Sequence, residues 1–162
     1  MREEAKNTKK LDNKGFSLIE LIIVIAIMAI LIGIVGTQVV PYIEKSKQAK
    51  DQQVLSGLLT SATTAFASNA ELADKAAITF NVGEDLKDAN KKISDEFYEL
   101  AGLKSTDKET KKDALMKKFT SKASKDIENV TIARNDDGVV TVTTTVKKDS
   151  KYASVFEVLS ST

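Results

Sequence analysis

The stretch that decides the fold reads Gly15-Phe16-Ser17-Leu18-Ile19-Glu20 and continues as an apolar, charge-free run from Leu21 to Gly36 before the chain reaches Pro41. Between Phe16 and Val40 the only ionisable side chain is Glu20. As a helix this segment extends about 37 Å, against a bilayer hydrocarbon core of about 30 Å, so it is long enough to cross a membrane. A charged group inside a bilayer costs roughly 2.5 kcal/mol or more. Glu20 therefore needs a compensating role.

Gly15-Phe16 followed by Glu20, with lysines before and an unbroken apolar helix after, resembles the processing site of type IV pilins and their pseudopilin relatives, that is, a prepilin with a class III leader. The specific resemblance covers roughly residues 6 to 45 of the 162. It implies that a prepilin peptidase cuts after Gly15, that the new N-terminal Phe16 is N-methylated, and that the helix then packs into the core of a filament. It also implies that Glu20 pairs with the Phe16 amine of a neighbouring copy, drawing each new subunit into register. An opposite charge close by offsets much of the cost of keeping either group in an apolar setting. A contact of this head-to-tail kind does not close, so growth is open-ended. The energy for extraction must come from elsewhere, because the chain has no phosphate-binding Gly-Lys-Ser/Thr loop. The resemblance supplies a pilus assembly ATPase and a membrane platform for that purpose.

Composition narrows the alternatives. A 42% hydrophobic content over 162 residues suits one globular body plus a membrane segment. The net charge of +1 provides no global attraction to nucleic acid. Cysteine and histidine are absent, so there is no disulfide, no thiolate site and neither the commonest general base nor the commonest metal ligand. No cofactor or metal is expected. Many pilins close a C-terminal loop with a disulfide, and its absence here agrees better with Gram-positive members of the resembled family. With no Ser-x-x-Lys or Gly-x-Ser-x-Gly in a convincing context, a membrane-anchored hydrolase is disfavoured.

Residues 1–15 are read as a leader peptide, polar and rich in lysine, with Lys9, Lys10 and Lys14 next to the apolar run. The positive-inside rule then keeps the N-terminus cytoplasmic and sends the body outward, although Lys45, Lys47 and Lys50 on the far side weaken the bias. An ordinary signal peptide would place a small-residue cleavage site after a short apolar region, whereas here the Gly-Phe junction precedes a long one. Residues 16–41 form the transmembrane and filament-core helix. Gly33, Gly36 and Pro41 are its weak points, with a kink expected near Pro41, because glycine costs about 0.8 to 1.0 kcal/mol relative to alanine and an interior proline removes a hydrogen bond. Two helices hinged at Pro41 are the alternative. Many pilins carry a proline about one turn earlier, where this chain has Thr37.

Residues 42–162 are read as the globular head. Ile43, Val54, Leu55, Leu58, Leu59, Ala62, Ala65 and Phe66 recur at helical spacing, so an amphipathic helix running to Ser68 presents an apolar stripe that needs a partner. A short strand is expected over residues 77–82 and a helix over residues 84–101 capped by Gly102. Thr106-Asp107-Lys108-Glu109 reads as a capping box opening a further helix through Ala114, Leu115 and Phe119. Val130 and Ile132, then Val140, Val142 and Val146, alternate as two strands joined by the turn Asn135-Asp136-Asp137-Gly138. Asp136 and Asp137 fail a calcium-loop register, because Ala133 stands where the first carboxylate belongs. A second turn over residues 147–151 leads to a third strand over residues 152–159, with Tyr152, Phe156 and Val158 on one face. The fold class is α+β: a long N-terminal helix, half membrane-spanning and half amphipathic, packed on a small antiparallel sheet, with extra helices in the connecting region.

Lys104, Lys108, Lys111, Lys112, Lys117, Lys118, Lys122 and Lys125 make one local basic excess. It reads as a solvated helix face rather than a DNA-uptake surface, since no arginine or aromatic platform is interleaved. The resulting expectation is a type IV pilus subunit, held in the cell membrane as a precursor and outside the cell once assembled, whose partners are copies of itself, the peptidase, the assembly machinery and, before assembly, lipid. A pseudopilin of a type II-like secretion system is the alternative. Motility, adhesion and DNA uptake all use the same scaffold in the resembled family.

Overall fold

The computed structural model describes residues 15–72, 77–103, 105 and 110–161. The leader, apart from Gly15, and the expected capping box at residues 106–109 lie outside them. The chain divides into two compact units, the first ending at Val40 and the second beginning at Pro41.

In the first unit, α1 (Leu18–Ile34) is opened by Ser17, whose extended backbone and side chain start the helix. None of its side chains is buried, including Ile32 at 70% and Ile30 at 66% exposure. A helix that is apolar all round and buried by none of the described residues suits an apolar surrounding. From Val35 to Val39 the backbone widens into a π turn before α2 begins (Val40–Ser68). Gly36 lies in that turn, Gly33 just before it and Pro41 just after it. The proline has no N–H and its ring crowds the carbonyl of Thr37, and a widened turn relieves such a clash while leaving the backbone helical. The Thr37 hydroxyl donates to the carbonyls of Gly33 and Ile34 at 3.2 and 3.3 Å, covering acceptors that a loosened turn leaves short of donors.

In the second unit, Leu55, Leu58, Ala62, Ala65 and Phe66 of α2 are buried, at the three- and four-residue spacing of one helix face. Ile43, which the pattern placed in the same stripe, is instead 51% exposed. The stripe joins a core with the sheet, whose four strands are antiparallel in the order β1 (Ile78–Asn81), β2 (Ile127–Arg134), β3 (Val140–Val146) and β4 (Leu159–Ser160). Register aligns Phe80, Ile132, Val142 and Leu159 in one row across the sheet, so a single apolar face meets α2. The Asn135–Gly138 turn closes as expected, with Gly138 at φ 87° and the Asn135 side chain accepting from Val139 N.

Three expectations are corrected. The helix predicted over residues 84–101 is α3 (Lys91–Leu100), because Asp88 adopts φ 53° and a short 3-10 turn intervenes, while the Ser94 hydroxyl accepts the Leu86 N–H and holds the preceding segment against α3. Helix α4 (Lys111–Met116) is opened by a capping box of Thr110 and Asp113, one register later than the Thr106 signal. The strand predicted over residues 152–159 shrinks to the two residues of β4: Val155 N closes a turn onto Tyr152 O, Phe156 is buried, and Val158 is 63% exposed.

Candidate functional site

The Gly15-Phe16 junction lies two residues ahead of the helix. Phe16 is 89% exposed, and a Cβ added at Gly15 would meet nothing within 4 Å. Ser17 continues the chain in extended form at ψ 143°. Immediately inside α1, the Glu20 carboxylate accepts the Ser17 N–H at 2.8 Å, and the Ser17 hydroxyl accepts from Ile19 N at 3.4 Å. Together they form a capping box, which a Ser at the N-cap and a Glu three residues later encode directly. The anion also sits at the positive end of the helix dipole. A peptide bond cut after Gly15 would create an ammonium one residue from the N–H that Glu20 already holds.

A second polar centre, not foreseen from the sequence, stands in the head. Asp51 on α2 is inaccessible to solvent, and its carboxylate accepts from Thr120 N at 2.8 Å, the Thr120 hydroxyl at 3.2 Å and Ser121 N at 2.9 Å. Burial pushes this carboxyl up, but the hydrogen bonds from Ser121, Thr120 and Ser124 outweigh it and hold the group below the usual aspartate value. Glu44, two turns earlier, accepts the Lys122 N–H. Both carboxylates bind backbone, so they fasten α2 to the segment before β2 rather than presenting charge outward. The faint sequence signal was an acidic residue at the helical spacing of the apolar stripe.

The lysine excess is partly directed inward. Lys111 pairs with Asp85 and lies 3.9 Å from the Tyr98 ring centroid, Lys112 donates to Asn129 at 3.0 Å, and Lys118 donates to Ala101 O at 2.6 Å. Lys104 and Lys108 lie outside the described residues. Tyr98 itself bridges two turns, accepting from Gly83 N and donating to Glu84 O. Burial, followed by the nearby charges of Asp85, Glu84 and Asp95, pushes its phenol up to about 12 against the lowering effect of the Gly83 bond. Among the described residues no three His, Cys, Asp or Glu side chains gather as a metal site.

Residues 10–36 match the family model described as the prokaryotic N-terminal methylation motif. This match supports a type IV pilin-like prepilin, and it agrees with the apolar N-terminal helix on membrane insertion. No curated protein and no solved structure matches the chain.

Proposed function

We propose that the chain is the structural subunit of a type IV pilus, inserted in the membrane as a precursor, cut after Gly15, methylated at Phe16 and polymerised through its N-terminal helix. The observation that carries this reading is the Glu20 carboxylate, held 2.8 Å from Ser17 N on a helix with no buried side chain, where a Phe16 amine would arise. In the precursor Glu20 caps its own helix. After the cut, the amine offers it a charged partner, and transfer to the amine of a neighbouring subunit joins two copies at a fixed register. The rest of α1 meets lipid first and other copies later, while the head stays outside.

Glu20→Ala and Glu20→Gln separate the two roles, since glutamine can still cap but carries no charge. Both variants should be cut and methylated normally, as read from the mass of the mature N-terminal peptide, and both should fail to form filaments by electron microscopy. Normal filaments from Glu20→Gln would refute the charge pairing. A mature peptide beginning at Met1, or near Gly36, would refute the processing. Short periplasmic fibres in place of long surface ones would favour the pseudopilin reading.

A further inference from the structure

The residues that follow the span carry a charge pattern that filament assembly does not require. Lys45, Lys47 and Lys50 lie within three turns of Pro41, and all three are exposed. At 100° per residue they point in different directions around α2, forming a collar rather than a stripe. The Glu44 bond to Lys122 N brings Lys122 to the same level of the helix, and Lys125 follows one turn later, both exposed. Of the acidic side chains at this end, Asp51 is inaccessible, the half-buried Glu44 holds Lys122 N, and the half-buried Asp126 accepts from Ser150 and pairs with Lys147 at 3.6 Å. Glu157, whose carbonyl accepts from the Gln52 side chain, is exposed, one carboxylate against the five exposed lysines. The local field is therefore positive despite a nearly neutral chain. Tyr42 stands at the start of the collar, 73% exposed, with the Lys45 ammonium 5.9 Å from its ring centroid.

We infer that this collar is a docking surface for anionic phospholipid headgroups, which holds the base of the head on the membrane while the subunit waits to be extracted. A ring of cations around a helix suits a plane that the helix crosses, whereas a duplex needs a groove or a flat face. An exposed tyrosine just past a span sits where aromatic side chains anchor in the interface. Three lysines on the exit side also oppose the topology set by Lys9, Lys10 and Lys14, and a lipid contact supplies their compensating role. The inference rests on reading α1 as a span and is independent of polymerisation.

The test reconstitutes the full-length precursor in phosphatidylcholine vesicles containing phosphatidylglycerol, and measures by electron spin resonance how strongly spin-labelled phosphatidylglycerol and phosphatidylcholine associate with it. Each lysine near a negative surface is worth about a fivefold change in partition. The native chain should prefer the anionic lipid at least fivefold, and high salt should erode the preference. Replacing Lys45, Lys47, Lys50, Lys122 and Lys125 with glutamine should remove most of it, and K45Q/K47Q, which leaves the 120–126 segment untouched, should remove part. No preference, or one that survives the five substitutions because the leader lysines cause it, would overturn the inference. So would duplex DNA binding in neutral vesicles that the same substitutions abolish. Alkaline extraction reports the span separately: a chain that washes out overturns the span reading and this inference with it, whereas one that is retained without lipid preference overturns the inference alone.

Discussion

Asp51→Ala is the most informative change that can be made in the head. It would leave Ser121 N buried without an acceptor, and it removes two further bonds, from the N–H and the hydroxyl of the more exposed Thr120. A hydrogen bond to a charged group contributes about 1.5 to 3 kcal/mol, and an orphaned buried donor costs about 1 to 3. Since the three bonds share one carboxylate and are not additive, the expected loss is about 3 to 5 kcal/mol. For a body of this size that lowers the melting temperature by about 12 to 20 °C. The assay is thermal and urea unfolding of the full chain in detergent, followed by the near-ultraviolet circular dichroism of the tyrosines. Ser56→Ala is the control, because Ser56 is exposed and its hydroxyl donates within its own helix to Gln52 O, so it should shift stability by no more than about 0.5 kcal/mol. The pH dependence has a definite sign. With the folded carboxyl held below its unfolded value, the contribution of Asp51 is complete above about pH 4 and is lost as pH falls through the folded value. The native chain should therefore lose stability on acidification below about pH 4 with a steeper slope than Asp51→Ala. A loss under about 1 kcal/mol, or equal acid slopes, would refute the account of Asp51 as the fastening between α2 and the 120–124 segment.

Tyr98 gives the opposite sign: its neutral form is favoured, so its contribution is present below about pH 10 and is lost as pH rises toward about 12, and the difference in tyrosinate absorbance between the native chain and Tyr98→Phe should titrate near the upper value. Tyr98→Phe should also cost about 1 to 2 kcal/mol in urea unfolding through the lost Gly83 and Glu84 bonds. Phe97→Ala, at a fully buried ring 5.6 Å edge-on from Phe80, should cost about 3 to 5 kcal/mol by the same measurement, while Ile43→Ala at an exposed position should cost almost nothing.

The parts of this fold that were legible in the sequence are those in which one residue pattern has one solution. A charge-free run from Leu21 to Gly36 admits little but a helix in apolar surroundings, and strict alternation through Val140 and Val142 admits a half-buried strand. The parts that were not legible depend on bonds between distant residues. Nothing near Asp51 in sequence announces Thr120 and Ser121, some seventy positions away. The strand expected over residues 152–159 failed for a related reason: Ser150 and Tyr152 direct tight turns, and Phe156 reaches the core without extended pairing. At α3, helical spacing accounts for the buried Ile93 and Phe97, but Leu100 is 49% exposed, Tyr98 takes the buried position beside Phe97, and Asp88 at positive φ sets the start of the helix later. Of the candidate site, Glu20 stood out as the lone charge of the apolar run, whereas its cap with Ser17, three residues earlier, emerged only from the structure. The Gly15-Phe16 junction was written as a motif, and Phe16 is exposed among the described residues.

Gly33 and Gly36 allow the filament reading to be tested from the monomer outward. Neither has φ in the left-handed range, and a Cβ added at either would meet nothing within 4 Å, so the isolated chain gives no steric reason for glycine. Alanine at each position should stabilise the helix by about 0.8 to 1.0 kcal/mol, and insertion should be unaffected. Lipid is as apolar as the helix, so assembly cannot gain from the hydrophobic effect on α1 and must rely on close packing and on the Glu20 pair. If glycine is retained for a contact or a local unwinding that exists only between subunits, Gly33→Ala and Gly36→Ala should yield a normally cut, methylated and membrane-inserted subunit that forms fewer filaments. Full filament yield from the double variant would remove both glycines from the assembly mechanism and leave the Thr37 and Pro41 turn as the remaining place where α1 can yield.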